Sequence, residues 1–178
     1  MQEVTIRLRF NRECLGYAKG QTRKSKVIYR MPRDSHQRVM FLPSWWRSRF
    51  RYAATVVGRC GNMVKQINWD PIVDGNLSEW KRTIKTPNNT DRRKRPRYAL
   101  HEAFRPGDMI GINAVLPAKM SLDDFTELLT VVGTYKGISP FQDDEETYGT
   151  FEVVSVHPTV RSRAKPEEVP ASIRSEGA

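Results

Sequence analysis

The hydrophobic period of this chain switches from that of a strand to that of a helix twice, and the second helix is followed by a return to strand. Near the start, Val4, Ile6, Leu8 and Phe10 alternate with Thr5, Arg7 and Arg9. This predicts a half-buried strand with one apolar and one largely basic face. From Ser44 to about Val57 the apolar positions become Trp46, Phe50, Ala53, Ala54 and Val57, the stripe of an amphipathic helix, with Ser44 after Pro43 as its N-cap. The same signals then repeat. Asp108 to Leu116 reads as a strand, Ser121 with Asp124 three residues on resembles a capping box, and Leu122, Phe125, Leu128, Leu129 and Val132 form a second buried stripe. Gly133 and Gly137 punctuate its exit. Tyr148 to Val156 closes the series as a strand, with Phe151, Val153 and Ser155 on one face and Val154 and Val156 on the other.

The intervening segments carry weaker signals. Gly16 to Lys26 reads as a basic connection, and Val27–Arg30 and Arg38–Leu42 as two short strands forming a hairpin about Pro32–Ser35. Residues 58–105 read as an irregular basic insertion, with a strand near Asn62–Ile67 and a helical turn or two near Leu77–Ile84, where Leu77, Trp80 and Ile84 share a side. Thr86 to Arg97 is a Pro- and Asn-bounded basic loop, and residues 161–178 are a Pro/Glu/Ser-rich tail expected to be disordered. The order of elements implies one α+β domain over 1–160 of ferredoxin-like type: a mostly antiparallel sheet, two main helices and a basic insertion.

Charge narrows the function. Met1 to Arg105 holds 24 Lys and Arg against 8 Asp and Glu, whereas Asp108 to Ala178 holds 6 against 12. The basic excess sits beside aromatic residues, most densely in Pro43–Tyr52, and that combination suits a phosphate backbone with stackable bases better than a small-molecule substrate. Arg47, Arg49 and Arg51 are expected to contact phosphates together with Arg92, Arg93, Lys94, Arg95 and Arg97, while Trp45 and Tyr52 stack on bases; Trp69, Trp80 and Tyr98 flank the basic loop. The expected partner is RNA or single-stranded DNA, with protein partners or self-association in a nucleoprotein complex.

Other classes are disfavoured by what the chain carries. Its two cysteines, Cys14 and Cys60, make neither a disulfide framework nor a zinc site, and His36, His101 and His157 are far apart with no nucleophile motif beside them. No cofactor, metal or catalytic residue is therefore expected. No stretch approaches the roughly 18 apolar residues of a membrane span, so a cytoplasmic protein with no membrane partner is the reading. The run Asp143–Glu146 is expected to be a solvated acidic loop, or one that docks the basic half of a neighbouring subunit.

Phe41–Arg51, a short strand followed by Pro43, Ser44, Arg47 and Arg51, is similar to the approach to the first helix in the RAMP superfamily, the ferredoxin-like RNA-binding proteins of CRISPR complexes. Gly133–Gly137 and Tyr148–Val153 resemble that superfamily's glycine-rich loop before its last strand. The resemblance implies a non-catalytic RNA-binding subunit and adds Lys136 to the contact residues; Asp143–Glu146 depart from it by placing acids in the loop. Two other classes compete with this reading. One is a metal-independent endoribonuclease with His36 as general acid or base. The other is a viral or assembly protein that associates through its acidic and basic surfaces.

Overall fold

The structure is a computed structural model that describes residues 1–16, 18–23, 26–59, 61–75, 77, 79–85, 97–140 and 147–159. The basic run at 92–95, the acidic run at 143–146 and the tail expected at 161–178 lie outside the described residues. Four strands form the first sheet: β1 (Gln2–Phe10), β5 (Asn68–Trp69), β8 (Met109–Leu116) and β9 (Phe151–Pro158), in the order β5-β8-β1-β9. Every neighbouring pair is antiparallel. With α1 (Pro43–Val56) and α3 (Leu122–Tyr135) the in-chain sequence is β1-α1-β5-β8-α3-β9, the βαββαβ arrangement of a ferredoxin-like fold.

Both helices cover one face of this sheet. The alternation of β1 holds as expected: Val4, Ile6, Leu8 and Phe10 are buried, and they share a core with Trp46, Phe50, Ala53 and Ala54 of α1 and Phe125, Leu128, Leu129 and Val132 of α3. Burying the large aliphatic and phenyl side chains among them drives the layer together at about 1.5–3 kcal/mol each. The Ser121 hydroxyl caps α3 by accepting the Asp124 N–H at 3.0 Å. α1 starts differently from expectation. Its N-cap is Leu42, with no side-chain cap, and Pro43 occupies the first turn, where its missing N–H leaves one fewer donor to satisfy.

Two further details correct the sequence reading. Gly133 lies inside α3 rather than at its exit, because the helix passes so close to β9 that a Cβ would press into the Phe151 carbonyl oxygen and ring. In β9 the register jumps between Arg7↔Ser155 and Leu8↔Val153, which leaves Val154 as an unpaired bulge residue. The bulge reverses the alternation, so Val153 and Val156 both pack on the core and Val154 is exposed.

A second sheet grows from two insertions into the βαββαβ frame. β2 (Cys14–Leu15), β3 (Ala18–Arg23) and β4 (Lys26–Arg30) come between β1 and α1, and β6 (Glu79–Lys85) and β7 (Arg97–Phe104) between β5 and β8. β7 is the spine. β4 runs parallel to it (Lys26↔Tyr98 to Tyr29↔His101), β6 lies antiparallel on its other edge (Glu79↔Ala103 to Lys85↔Arg97), and β2 pairs with its end.

Several local readings are overturned by this sheet. Gly16–Lys26 is largely strand rather than open connection, although its polar sequence gave no strand signal; pairing with β4 imposes it. Arg38–Leu42 does not form a hairpin with Val27–Arg30. Val39 bridges Arg33 and Met40 bridges Ile72, while Val27–Arg30 is taken by β3 and β7. Within 58–105 the described residues include regular elements. Asn62–Ile67 begins in a short helix, α2 (Gly61–Val64), with Val64 and Ile67 buried at helical spacing, and the helical turns expected at Leu77–Ile84 are β6, whose seven registered pairs with β7 outweigh a local pattern.

Candidate nucleic-acid interface

Residues 18–30 carry five Lys and Arg and no acid, and residues 79–105 carry nine against three acids. The described strands of these two runs, β3 and β4 in one and β6 and β7 in the other, belong to the same sheet. Because β4 and β7 are parallel, both start at the same end, with Lys26 opposite Tyr98; there the β3–β4 turn leaves the sheet at Arg23↔Lys26 and the β6–β7 connection leaves it at Lys85↔Arg97. One end of one sheet thus gathers the backbone positions of Arg23, Lys26, Lys85 and Arg97 and anchors the connection that holds Arg92, Arg93, Lys94 and Arg95. Arg97 is the first residue of β7, not a loop residue as expected.

α1 contributes a separate group. Arg47 and Arg51 are exposed, one turn apart, on a flank of the helix away from its buried stripe. Arg49 differs. It is half-buried, donates from Nη2 to the Ser139 carbonyl at 3.1 Å, and its buried Nε has no partner among the described residues; burial also lowers its pKa below the usual guanidinium range. Tyr52 is partly exposed, with the Lys136 ammonium 4.5 Å from its ring centroid, a cation–π contact that places Lys136 beside α1. Trp45 is half-buried and packs against Phe41, centroids 5.6 Å apart. Trp69, expected to flank the basic loop, is instead a core residue at 3% exposure, stacked on Trp46.

The junction between the sheets uses residues that the sequence did not single out. The Glu102 carboxylate is almost fully buried and accepts from the Met31 N–H and from Arg33 Nη2, both at 2.9 Å. His101, fully buried, shares a 2.7 Å hydrogen bond between Nδ1 and the Gly16 carbonyl and stacks on Tyr29. The Gly16 N–H donates to the Glu102 carbonyl at 2.8 Å, and a Cβ on Gly16 would fall 2.6 Å from the Arg30 carbonyl carbon. Ser139, also fully buried, joins the first sheet's helix layer to β2 through two hydrogen bonds with the Leu15 backbone. Single polar residues of this kind leave no periodic signal in a sequence.

His36 stands in an exposed turn whose centre is Asp34. The Asp34 carboxylate accepts from the His36 N–H, the Arg38 N–H and Arg38 Nε. The basic face of β1 is paired: Arg7 with Asp74 and Arg9 with Glu152. Among the described residues no helix is long and apolar enough to cross a membrane.

No protein-family profile and no curated protein sequence matches this chain. Among solved structures it is similar to a chain in the cryo-EM structure of the Type III-B Cmr-beta bound to cognate target RNA, with a TM-score of 0.58 and 11% identity. The likeness is one of fold. The match covers 88% of this chain and 60% of that one, so this chain spans less than two thirds of its neighbour's length.

Proposed function

We propose that this protein is a non-catalytic nucleic-acid-binding subunit of a CRISPR-type ribonucleoprotein complex, taking RNA or single-stranded DNA and working alongside protein partners in the cytoplasm. The observation that carries the reading is that two distant basic runs bring the backbone positions of Arg23, Lys26, Lys85 and Arg97 to one end of the second sheet. Positive charge concentrated there attracts a phosphate backbone by releasing its counterions. The fold shared with a chain of an RNA-bound complex supports the same reading, as does the resemblance of Phe41–Arg51 to the RAMP superfamily. Arg47 and Arg51 supply a second group of exposed cations on α1, and Tyr52 with Lys136 offers an aromatic and cationic pair for a base and its phosphate.

Binding of labelled single-stranded RNA and DNA over a salt series tests this. Replacing Arg92, Arg93, Lys94 and Arg95 by Ser is expected to reduce the slope of log affinity against log salt by about 2.8, at about 0.7 for each phosphate no longer neutralised. An unchanged slope would remove the basic loop from the interface. Cleavage of labelled RNA in the absence of metal, abolished by His36→Ala, would instead make the protein an endoribonuclease.

A further inference from the structure

The face of the first sheet that carries no helix holds a cleft of different chemistry. Strand registers set three rows of residues across it: Glu3, Val115 and Asn68; Thr5, Asn113 and Asp70; Arg7, Gly111 and Asp74. In the third row the glycine leaves room for Arg7 Nη1 to reach Asp74 Oδ2 at 3.4 Å, and a Cβ on Gly111 would crowd both groups. Beyond the second row a cleft of about 460 Å³ opens, and a smaller hollow of about 170 Å³ lies toward Arg7. Asp70 and Asn113 line both.

The hydrogen bonds at this point commit some groups and leave others to a ligand. Thr5 Oγ1 donates to Asn113 Oδ1 at 3.0 Å, with Thr159 Oγ1 3.0 Å behind it, so the Asn113 carbonyl is used and its two N–H donors remain. Asp70 Oδ1 accepts the Ile72 N–H at 3.0 Å, which fixes the carboxylate while its other oxygen and spare lone pairs stay available. Asp70 and Asp74 against the single Arg7 make this a poor site for phosphate. It suits a neutral ligand that presents one acceptor next to hydrogen-bond donors, with Pro71 and Val115 as apolar walls.

We propose that this cleft reads a guanine of the bound strand, an inference that rests on the nucleic-acid reading above. The pairing edge of guanine carries the O6 acceptor beside the N1–H and N2–H donors, which matches the Asn113 amide followed by the Asp70 carboxylate. Uracil, adenine and cytosine each offer one acceptor beside a single donor, so they satisfy the Asn113 amide and one contact of Asp70; guanine alone adds a second adjacent donor for the carboxylate. The second sheet then holds the backbone while this face selects the base.

Affinity for a labelled oligouridylate and for the same strand carrying guanosines tests the assignment. The guanosine strand is expected to bind about tenfold more tightly, as one bidentate base contact provides. Asp70→Asn keeps the acceptor for Ile72 but turns the outer oxygen into a donor; it is expected to erase the guanosine preference while leaving the salt slope and the melting temperature unchanged. Inosine in place of guanosine, which lacks the N2 amino group, is expected to give an intermediate affinity. Equal binding of both strands by the unaltered protein, with a normal salt slope, overturns the guanine site and leaves the nucleic-acid reading standing, as does a preference that survives Asp70→Asn. Binding of neither strand at low salt overturns both.

Discussion

Trp46 of α1 lies flat on Trp69 of β5, ring centroids 4.4 Å apart and planes within 9°. The pair ties the first helix to the short edge strand of the first sheet, and Phe50, Phe125 and Phe151 surround it. Among the described residues neither buried indole Nε1 has a hydrogen-bond partner, and the contact between the rings is one of shape and stacking. Trp46→Ala is expected to destabilise the protein by about 3–5 kcal/mol in denaturant unfolding. Trp46→Phe also removes the unpaired N–H and should cost less; equal losses would show that the polar atom is satisfied in solution.

The three arginines of α1 are expected to separate by experiment. Changing Arg47 and Arg51 together to Ala should leave the melting temperature unchanged and reduce the salt slope for single strands by about 1.4. Arg49→Ala should lower the melting temperature instead, because its guanidinium holds the Ser139 carbonyl from a half-buried position. Loss of stability in the double variant would contradict the exposed placement of Arg47 and Arg51.

Gly133→Ala tests the seam between α3 and β9. The added methyl meets the Phe151 carbonyl and ring carbons, the nearest ring carbon at 2.7 Å, so either the helix or the strand must shift. Overpacking of this kind costs about 1–3 kcal/mol. A variant as stable as the parent would mean that the seam is looser than its geometry.

The Asp34 turn carries a pH signature. Desolvation works against ionisation, but the bonds from Arg38 and His36 outweigh it and hold the carboxyl below its ordinary 3.8. A carboxyl with a depressed folded pKa contributes stability above its unfolded value and loses it as pH falls through the folded one. Asp34→Asn should therefore lower the melting temperature at neutral pH, with the difference from the parent shrinking only below 3.8. A difference that is constant across this range would place the effect elsewhere.

β1, β8, β9 and both main helices were legible because each buries one regular face, whereas Asn68–Trp69 is an edge strand too short to show a period. Val4 to Phe10 alternates, and the stripes on α1 and α3 recur at helical spacing. Of the second sheet Val27–Arg30 was read as a strand but its partners were not, since Ala18–Arg23 is almost wholly polar and the Leu77–Ile84 spacing fits a helix as well as a strand. The basic charge was plain in the sequence, but the gathering of Arg23, Lys26, Lys85 and Arg97 at one sheet end depends on a parallel pairing between strands about 70 residues apart, which no local pattern encodes. The cleft at Asn113 and Asp70 was invisible for the same reason.

That parallel pair also orders events during synthesis. β1, β3, β4 and α1 emerge before residue 97, and nothing local can occupy the edge of β4 until β7 arrives. A chain released or cleaved in that interval presents an unpaired strand edge in a strongly basic segment. Such an intermediate is expected to be held apart from its copies by charge at low salt and to associate through that edge once salt screens the repulsion.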